Sequence, residues 1–259
     1  MKNRLKEKML AGYKTVGTFY ESGVQTTAEC IALGGMDYII IDAEHGPFGP
    51  ESAADFICAS ERRGMTPLVR VQDKQRPSIL KMLDVGAGGL IIPDINSIEE
   101  IRQVMKYAKY YPMGERGVAY ARGCGFGYAD PMPIEEYFSE SNRETLMFPQ
   151  CETLGCLNDI ENIAAEEGVD GIFIGPFDLS TAMGIPGQFD APEMKEALTR
   201  ILNACKNAGK IAMIYADNGD AGRKLLEQGF DSVAINMDTI LLIRCIKQEV
   251  EKAKGGGAA

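Results

Sequence analysis

The single histidine of the chain, His45, stands in the stretch Asp37–Pro47, DYIIIDAEHGP, with Asp42 and Glu44 within three residues of it. Imidazole is the side chain that titrates near neutrality unaided, and a neighbouring carboxylate raises its basicity, which is how a general base is tuned. The plain alternative is a structural histidine. A second group of residues is acidic. Glu152 follows PQC and Asp178 follows IGPF. Two carboxylates with water form a hard, oxygen-rich site that suits Mg²⁺ or Mn²⁺, with Co²⁺ as a further candidate. One histidine is too few for a His-rich zinc site. Helix capping is the competing use of both acids. Arg70 closes the otherwise apolar run TPLVR. Its guanidinium could clamp a carboxylate, stabilise a developing enolate oxygen, or pair with an acid at a barrel mouth. Gln150 falls on the same strand face as Glu152, because side chains alternate. Asp84, in LDVGAG, reads by itself as a solvated or capping acid.

Positioning these groups requires regular elements. Eight short runs rich in β-branched and apolar residues begin at Thr15, Asp37, Thr66, Gly88, Thr145, Asp170, Lys210 and Asp231. They are nearly continuous apolar runs, as expected for strands buried on both faces. Helical stretches separate them: Gln25 to Leu33, Pro50 to Arg63, Pro77 to Val85, and Ser97 to Tyr110, which opens with a capping pattern. Later ones run from about Ala191 to Asn207, Asp220 to Gln228 and Asp238 to Lys252. Alternating strand and helix predicts a closed parallel (β/α)8 barrel, α/β in class, over residues 1–254, with 255–259 as a flexible tail. The open doubly wound sheet is disfavoured, since no G-x-G-x-x-G follows a strand. In a barrel the strand ends named above share one mouth, together with Asp94, Asp217, Asn218, Asn236 and Asp238. The Gly- and aromatic-rich segment from Pro112 to Pro133 is expected to be an active-site loop.

Bulk properties narrow the function. The 259 residues carry 27 basic and 37 acidic side chains, a net charge of −10, which speaks against nucleic acid. No apolar run approaches the length of a membrane span, and the start MKNRLKEKML lacks the apolar core of a signal peptide. Seven cysteines form no C-x-x-C pair, which fits free thiols in a reducing cytoplasm.

Several stretches resemble the HpcH/HpaI aldolase family, metal-dependent pyruvate aldolases. They are DYIIIDAEHGP, PLVRV, LDVGAGGLIIP, GERGVAYARGCGFGY, PQCET and GVDGIFIGPFDLSTAMG, in that order from Asp37 to Gly184. With flanking elements the resemblance covers nearly the whole chain. It implies a (β/α)8 barrel, assembled as a homohexameric trimer of dimers that exchange the last helix. It also implies residue roles: Glu152 and Asp178 as metal ligands, His45 as the base, and Arg70 as the transition-state stabiliser. Asp84 becomes an acid supporting the histidine, and Gln150 a substrate contact. The backbone around Phe177 and Asp178 becomes the keto-acid pocket. Family members often carry a small residue where Phe177 stands, and Ala119–Tyr128 departs from some of them. The implied reaction is reversible cleavage of a 4-hydroxy-2-oxo acid to pyruvate and an aldehyde. The competitors are related enolate chemistry on a CoA thioester or oxaloacetate, a non-catalytic sugar-acid-binding barrel, and a phosphate-binding barrel isomerase.

Overall fold

A computed structural model of the chain describes residues 2–129 and 131–255. Among them, eight parallel strands close into a barrel in sequence order. These are β1 (Thr15–Tyr20), β2 (Tyr38–Asp42), β3 (Thr66–Arg70) and β4 (Gly89–Ile92), then β5 (Leu146–Cys151), β6 (Gly171–Ile174), β7 (Ile211–Ala216) and β8 (Ser232–Met237). The pairing of β8 with β1, Thr15 opposite Ser232, completes the ring and excludes an open sheet. The helices are α1 (Arg4–Leu10), α2 (Gln25–Leu33), α3 (Pro50–Arg62), α4 (Arg76–Asp84), α5 (Ile98–Ala108) and α6 (Ile134–Glu144). They continue with α7 (Leu154–Asn158), α8 (Ile160–Ala165), α9 (Pro176–Ala182), α10 (Pro192–Ala208), α11 (Gly219–Gln228) and α12 (Asp238–Ala253). The (β/α)8 expectation is borne out. Of the expected tail, residues 256–259 lie outside the described residues.

Strand alternation builds two cores. One face of each strand packs on the helices through Ile39, Ile41, Val69, Leu90 and Ile172. The other face fills the barrel with Tyr38, Ile40, Leu68, Phe148, Phe173 and Met213. Along each inward column the chemistry changes from apolar to polar: Tyr38, Ile40, Asp42 on β2; Leu68, Arg70 on β3; Leu146, Phe148, Gln150 on β5. The carboxyl-end mouth is therefore polar above a dry interior.

The amino end is closed differently. Helix α1 places Leu5 and Met9, one turn apart, into the inner cluster at 1% and 5% exposure. Each such burial is worth about 1.5–3 kcal/mol. Asn3 accepts from the Lys6 N–H as its N-cap, and donates to the carbonyls of Gly88 (2.7 Å) and Glu144 (3.0 Å), which ties this plug to the barrel floor. Three aspartates repeat one device there. Asp37, Asp170 and Asp231, each just before a strand, accept the N–H of the second residue of the preceding strand: Val16 (2.9 Å), Met147 (2.9 Å) and Ala212 (3.0 Å). Unpaired strand-start donors are thereby satisfied.

The described residues of the segment from Pro112 to Pro133 are not at the mouth of their own barrel. The segment connects α5 to α6, just ahead of β5, and so lies at the amino end. There Arg122 donates to the Val85 carbonyl (3.1 Å) and pairs with Glu61. The segment covers a cavity of about 600 Å³ lined by Arg4, Thr66, Gly88, Arg116 and Thr145. The active-site-loop expectation fails within one chain because a helix-to-strand connection in a parallel barrel returns to the strand starts.

Candidate active site

Arg70 organises the mouth. It lies opposite Asp42 in the β2–β3 register. Its Nε donates to Asp42 Oδ1 (2.9 Å) and its Nη2 to Asp42 Oδ2 (2.6 Å), a bidentate pair with both side chains buried. Its Nη1 stands 3.1 Å from Glu44 Oε2, and its guanidinium lies 4.7 Å from the centre of the Phe19 ring. Burial works against the guanidinium charge, but the Asp42 bond, then Asp42 and Glu44 as charges, outweigh it and raise the pKa. The result is a cation fixed in orientation on two carboxylates and an aromatic face.

Asp42 is thereby committed. Besides Arg70, its Oδ1 accepts the backbone N–H groups of Glu44 (3.1 Å) and His45 (3.3 Å). Asp42 shapes the turn that carries His45; its recorded bond to His45 goes to the backbone. The acid facing the ring is Glu44, with Oε2 4.0 Å from His45 Nε2. The His45 side chain is 68% exposed, reaching out over the mouth. Burial pushes the Glu44 carboxyl above the usual range; Arg70 pulls it back, while Glu152 and Asp42 push it up further.

Across the barrel, Gln150 Nε2 donates to Glu152 Oε2, and the Asp94 N–H donates to Glu152 Oε1 (2.7 Å). Asp94 adopts a left-handed backbone (φ 53°) two residues after β4, a conformation that Asp tolerates better than most residues. Gln150 Oε1 is buried and has no hydrogen-bond partner among the described residues. Burial raises the Glu152 pKa. The Asp94 and Gln150 bonds oppose this, and the charge of Asp178 adds to it. Asp178 sits in the first turn of α9, whose N-cap is Gly175. Gly175 leaves room between these groups: a Cβ there would lie 3.2 Å from both Gln150 Nε2 and Glu152 Oε2. Glu152, its proton affinity raised by burial and by the charge of Asp178, and Asp178 itself, beside an unpartnered amide oxygen, fit a hard cation with water ligands. Among the described residues no cluster of three or more His, Cys, Asp and Glu side chains surrounds that point.

Asp84 is not part of this mouth in its own chain. It ends α4 and therefore lies at the amino end of the barrel, where Arg116 Nη2 donates to its Oδ1 (2.9 Å). Support of His45 by Asp84 within one chain is excluded by this topology. Asp217 is also occupied elsewhere, pairing with Arg244 (2.9 Å).

Glu21, Phe19, Phe189 and Tyr215, not singled out from the sequence, complete the site together with Asp238 and Phe177, which were. Burial raises the pKa of Glu21, directly after β1, with Asp42 and Asp238 adding and Arg70 and His45 opposing. Asp238 holds that turn by accepting from the N–H groups of Glu21 (2.8 Å) and Ser22 (3.2 Å). From β6 round to β1 the lining is aromatic: Phe177 meets Phe189 at 4.7 Å and Tyr215 at 6.1 Å, and Tyr215 meets Phe19 at 6.3 Å between ring centres. Inward parity on β1 and β7 was the signal that could have found Phe19 and Tyr215.

A parallel (β/α)8 barrel whose carboxyl-end mouth gathers an anchored arginine, a histidine–glutamate pair and further carboxylates has the layout of a barrel enzyme. The chain belongs to the HpcH/HpaI aldolase/citrate lyase family, whose model matches residues 15–245. It is 34% identical over 258 residues to a hydroxypyruvate/pyruvate aldolase of Agrobacterium fabrum (strain C58), covering 99% of this chain and 95% of that protein. It is 31% identical to the 2-keto-3-deoxy-L-rhamnonate aldolase of Escherichia coli (strain K12), with the same coverage. Among solved structures it resembles an HpcH/HpaI aldolase from Desulfitobacterium hafniense DCB-2, with TM-score 0.88, 30% identity, and 97% and 96% of the two chains covered. The chain is a carbon–carbon lyase of the aldolase type. No helix among the described residues is long and apolar enough to cross a membrane.

Proposed function

We propose that this aldolase cleaves a 4-hydroxy-2-oxo acid reversibly to pyruvate and an aldehyde. The observation that carries the reading is the fixed guanidinium of Arg70, seated on Asp42 and Glu44 at the same mouth as Gln150, Glu152 and Asp178. Glu152 and Asp178 are the residues that would hold a divalent cation, Mg²⁺ or Mn²⁺, with Co²⁺ as a further candidate. When bound, the cation supplies Lewis acidity toward the oxygens of the keto acid.

The chain's own residues supply the rest. Gln150, its amide oriented by the Nε2 bond to Glu152, positions the keto acid by donating its second Nε2 N–H to a keto-acid oxygen. The N–H groups of Phe177 and Asp178 precede the first α9 backbone bond, Leu179 N–H to Gly175 O at 3.0 Å, and stand free of the helix ladder to receive a carboxylate. As the C3–C4 bond breaks, electrons move onto the C2 oxygen, and Arg70 places positive charge there without reorganising. His45 takes the proton of the C4 hydroxyl, which becomes the aldehyde oxygen. Glu44, with Oε2 4.0 Å from His45 Nε2, is the acid beside the ring. In the reverse direction His45 returns that proton.

The assembly reading rests on α12. Its residues Leu242, Ile243, Ile246 and Val250 face solvent in the isolated chain, an apolar stripe suited to exchange between subunits in a trimer of dimers. Asp84 enters the reading only from a second copy, since its own His45 is at the other end of the barrel. The free cysteines support a cytoplasmic location, and the continuous barrel core supports one domain over residues 1–254.

Pyruvate release from 4-hydroxy-2-oxo acids tests the reading. Activity is expected to vanish in EDTA and return with Mg²⁺ or Mn²⁺. Full turnover in EDTA, unchanged by added metal, refutes the metal assignment. Thiol release from acetyl-CoA without any pyruvate release refutes the aldolase reaction in favour of a condensation.

A further inference from the structure

The mouth is chemically divided, and the division bears on the aldehyde. Resting on the aldolase reading above, we propose that the acceptor is an uncharged aromatic aldehyde, selected by a shelf of Phe177, Phe189, Tyr215 and Phe19. The keto acid occupies the polar sector, from Arg70 on β3 through Gln150 on β5 and Glu152 just beyond it to Asp178 on α9. The substituent on C4 then extends to the remaining sector, which runs from β6 through β7 and β8 to β1. There the four rings and Met237, which packs against the inner cluster at the end of β8, stand beside the polar strand-end residues Glu21, Asp217 and Asp238.

The shelf is built before any ligand arrives. Phe177 meets Phe189 edge to face (4.7 Å, 83°) and Tyr215 edge to face (6.1 Å, 71°). Yet Phe177 remains 54% and Phe189 38% exposed. An aromatic ring laid against Phe177 removes that apolar surface from water and meets the ring edges and faces that aromatic pairs prefer. Phe19, beneath Arg70 at 4.7 Å, joins the shelf to the catalytic sector.

Charge disfavours the main alternative, an acceptor bearing its own carboxylate. Glu21 and Glu44 stand at the mouth outside the pair that would hold the cation, and among the described residues the basic side chains around it are engaged. Arg70 is held by Asp42 and Glu44, Lys74 by Asp94 (3.2 Å) and Glu100 (3.0 Å), and Arg244 by Asp217 (2.9 Å). Arg116, which a second copy would bring with Asp84, arrives already paired to it. A polyol acceptor would leave hydroxyl groups against ring faces without partners.

In the synthetic direction one C3 hydrogen of pyruvate leaves as a proton to solvent. C3 bonds to the aldehyde carbon, and the aldehyde oxygen takes up one proton to become the C4 hydroxyl. The experiment is aldol addition of pyruvate with Mn²⁺ to benzaldehyde, succinic semialdehyde and glyceraldehyde, with kcat/KM measured for each. Deuterium exchange into C3 of pyruvate is followed separately, without acceptor. Exchange together with a preference for benzaldehyde of about tenfold or more supports the proposal, as does loss of most of that preference in both Phe177→Ala and Tyr215→Ala. Exchange with a preference for succinic semialdehyde or glyceraldehyde overturns the shelf and leaves the aldolase reading standing. Phe177→Ala with an unchanged acceptor ratio and an altered oligomeric state also overturns it, assigning the exposed rings to a subunit contact. Absence of exchange overturns the aldolase reading and the shelf with it.

Discussion

Arg70→Lys isolates geometry from charge. Arg70 makes two parallel bonds to Asp42 at 2.9 and 2.6 Å and a third contact to Glu44 at 3.1 Å. An ammonium is a compact point charge and cannot span both Asp42 oxygens while also reaching Glu44. The variant keeps the positive charge in the mouth but loses at least one charge-assisted bond, each worth about 1.5–3 kcal/mol. It also loses the fixed orientation toward the C2 oxygen, and removal of one preorganised oxyanion donor costs about 10²–10³ in kcat. We expect kcat/KM for pyruvate release to fall about 10²-fold in Arg70→Lys and 10³-fold or more in Arg70→Ala. Arg70→Ala leaves Asp42 and Glu44 without their cation, and breaking a buried pair in this way costs about 3–5 kcal/mol of stability. Thermal unfolding of both variants therefore accompanies the kinetics, and Arg70→Lys is the decisive one because it keeps the charge. Deuterium exchange at C3 should fall in parallel with turnover, since both pass through the same enolate. An Arg70→Lys enzyme that is well folded and within a few-fold of the parent in both assays would remove Arg70 from the chemistry and leave it a structural clasp.

Glu44→Gln should lower kcat/KM about tenfold and change the acid side of its pH profile. Burial raises the Glu44 carboxyl, so as pH falls it takes a proton sooner than an ordinary glutamate and ceases to support His45; an acid limb of the same shape in parent and variant refutes this role. Gly175→Ala places a Cβ 3.2 Å from both Gln150 Nε2 and Glu152 Oε2 and should weaken Mn²⁺ binding by calorimetry about tenfold; unchanged affinity would put the cation elsewhere. Lys109 is buried, its ammonium donating to the carbonyls of Asn142 (2.8 Å) and Thr145 (2.9 Å), and burial lowers its pKa from 10.5 to about 8. A lysine with a depressed folded-state pKa costs most stability below about pH 8, and the cost fades as pH rises toward 10.5. The parent should therefore gain stability relative to Lys109→Met over that interval, by about 3 kcal/mol at most; a difference in unfolding free energy that stays flat from pH 8 to 10.5 refutes it.

The strands were legible because a barrel buried on both faces leaves continuous apolar runs, and the polar residue ending each run is exposed by contrast. Arg70 after TPLV and Gln150 after LMFP announce themselves in this way. The helix Arg4–Leu10 was not legible: RLKEKML is short and charged, and its two buried residues gain meaning only once a barrel floor exists for them. Asp42 and Glu44 look equivalent in sequence, two residues apart beside His45. Register separates them, because Asp42 is still within β2, opposite Arg70, while Glu44 lies in the turn beyond.

Topology alone could have placed two other features. Asp84 ends a helix and the segment from Pro112 leads through α6 to a strand start, and in a parallel barrel both positions belong to the amino end. Local sequence around each resembles parts of a family in which such residues serve the active site, and that resemblance carries no information about which copy of the chain they serve. The two facts agree if the amino end of one barrel meets the mouth of another. Arg116, with one guanidinium bond to Asp84 and a buried Nε lacking a hydrogen-bond partner, is then the place where that meeting should leave its mark. Parent and Asp84→Asn mixed in one assembly with an inactive His45→Ala chain distinguish the cases. Supply within a chain makes activity additive in the active subunits. Supply between chains lets His45→Ala, which retains its own Asp84, restore turnover to Asp84→Asn, whose His45 is intact.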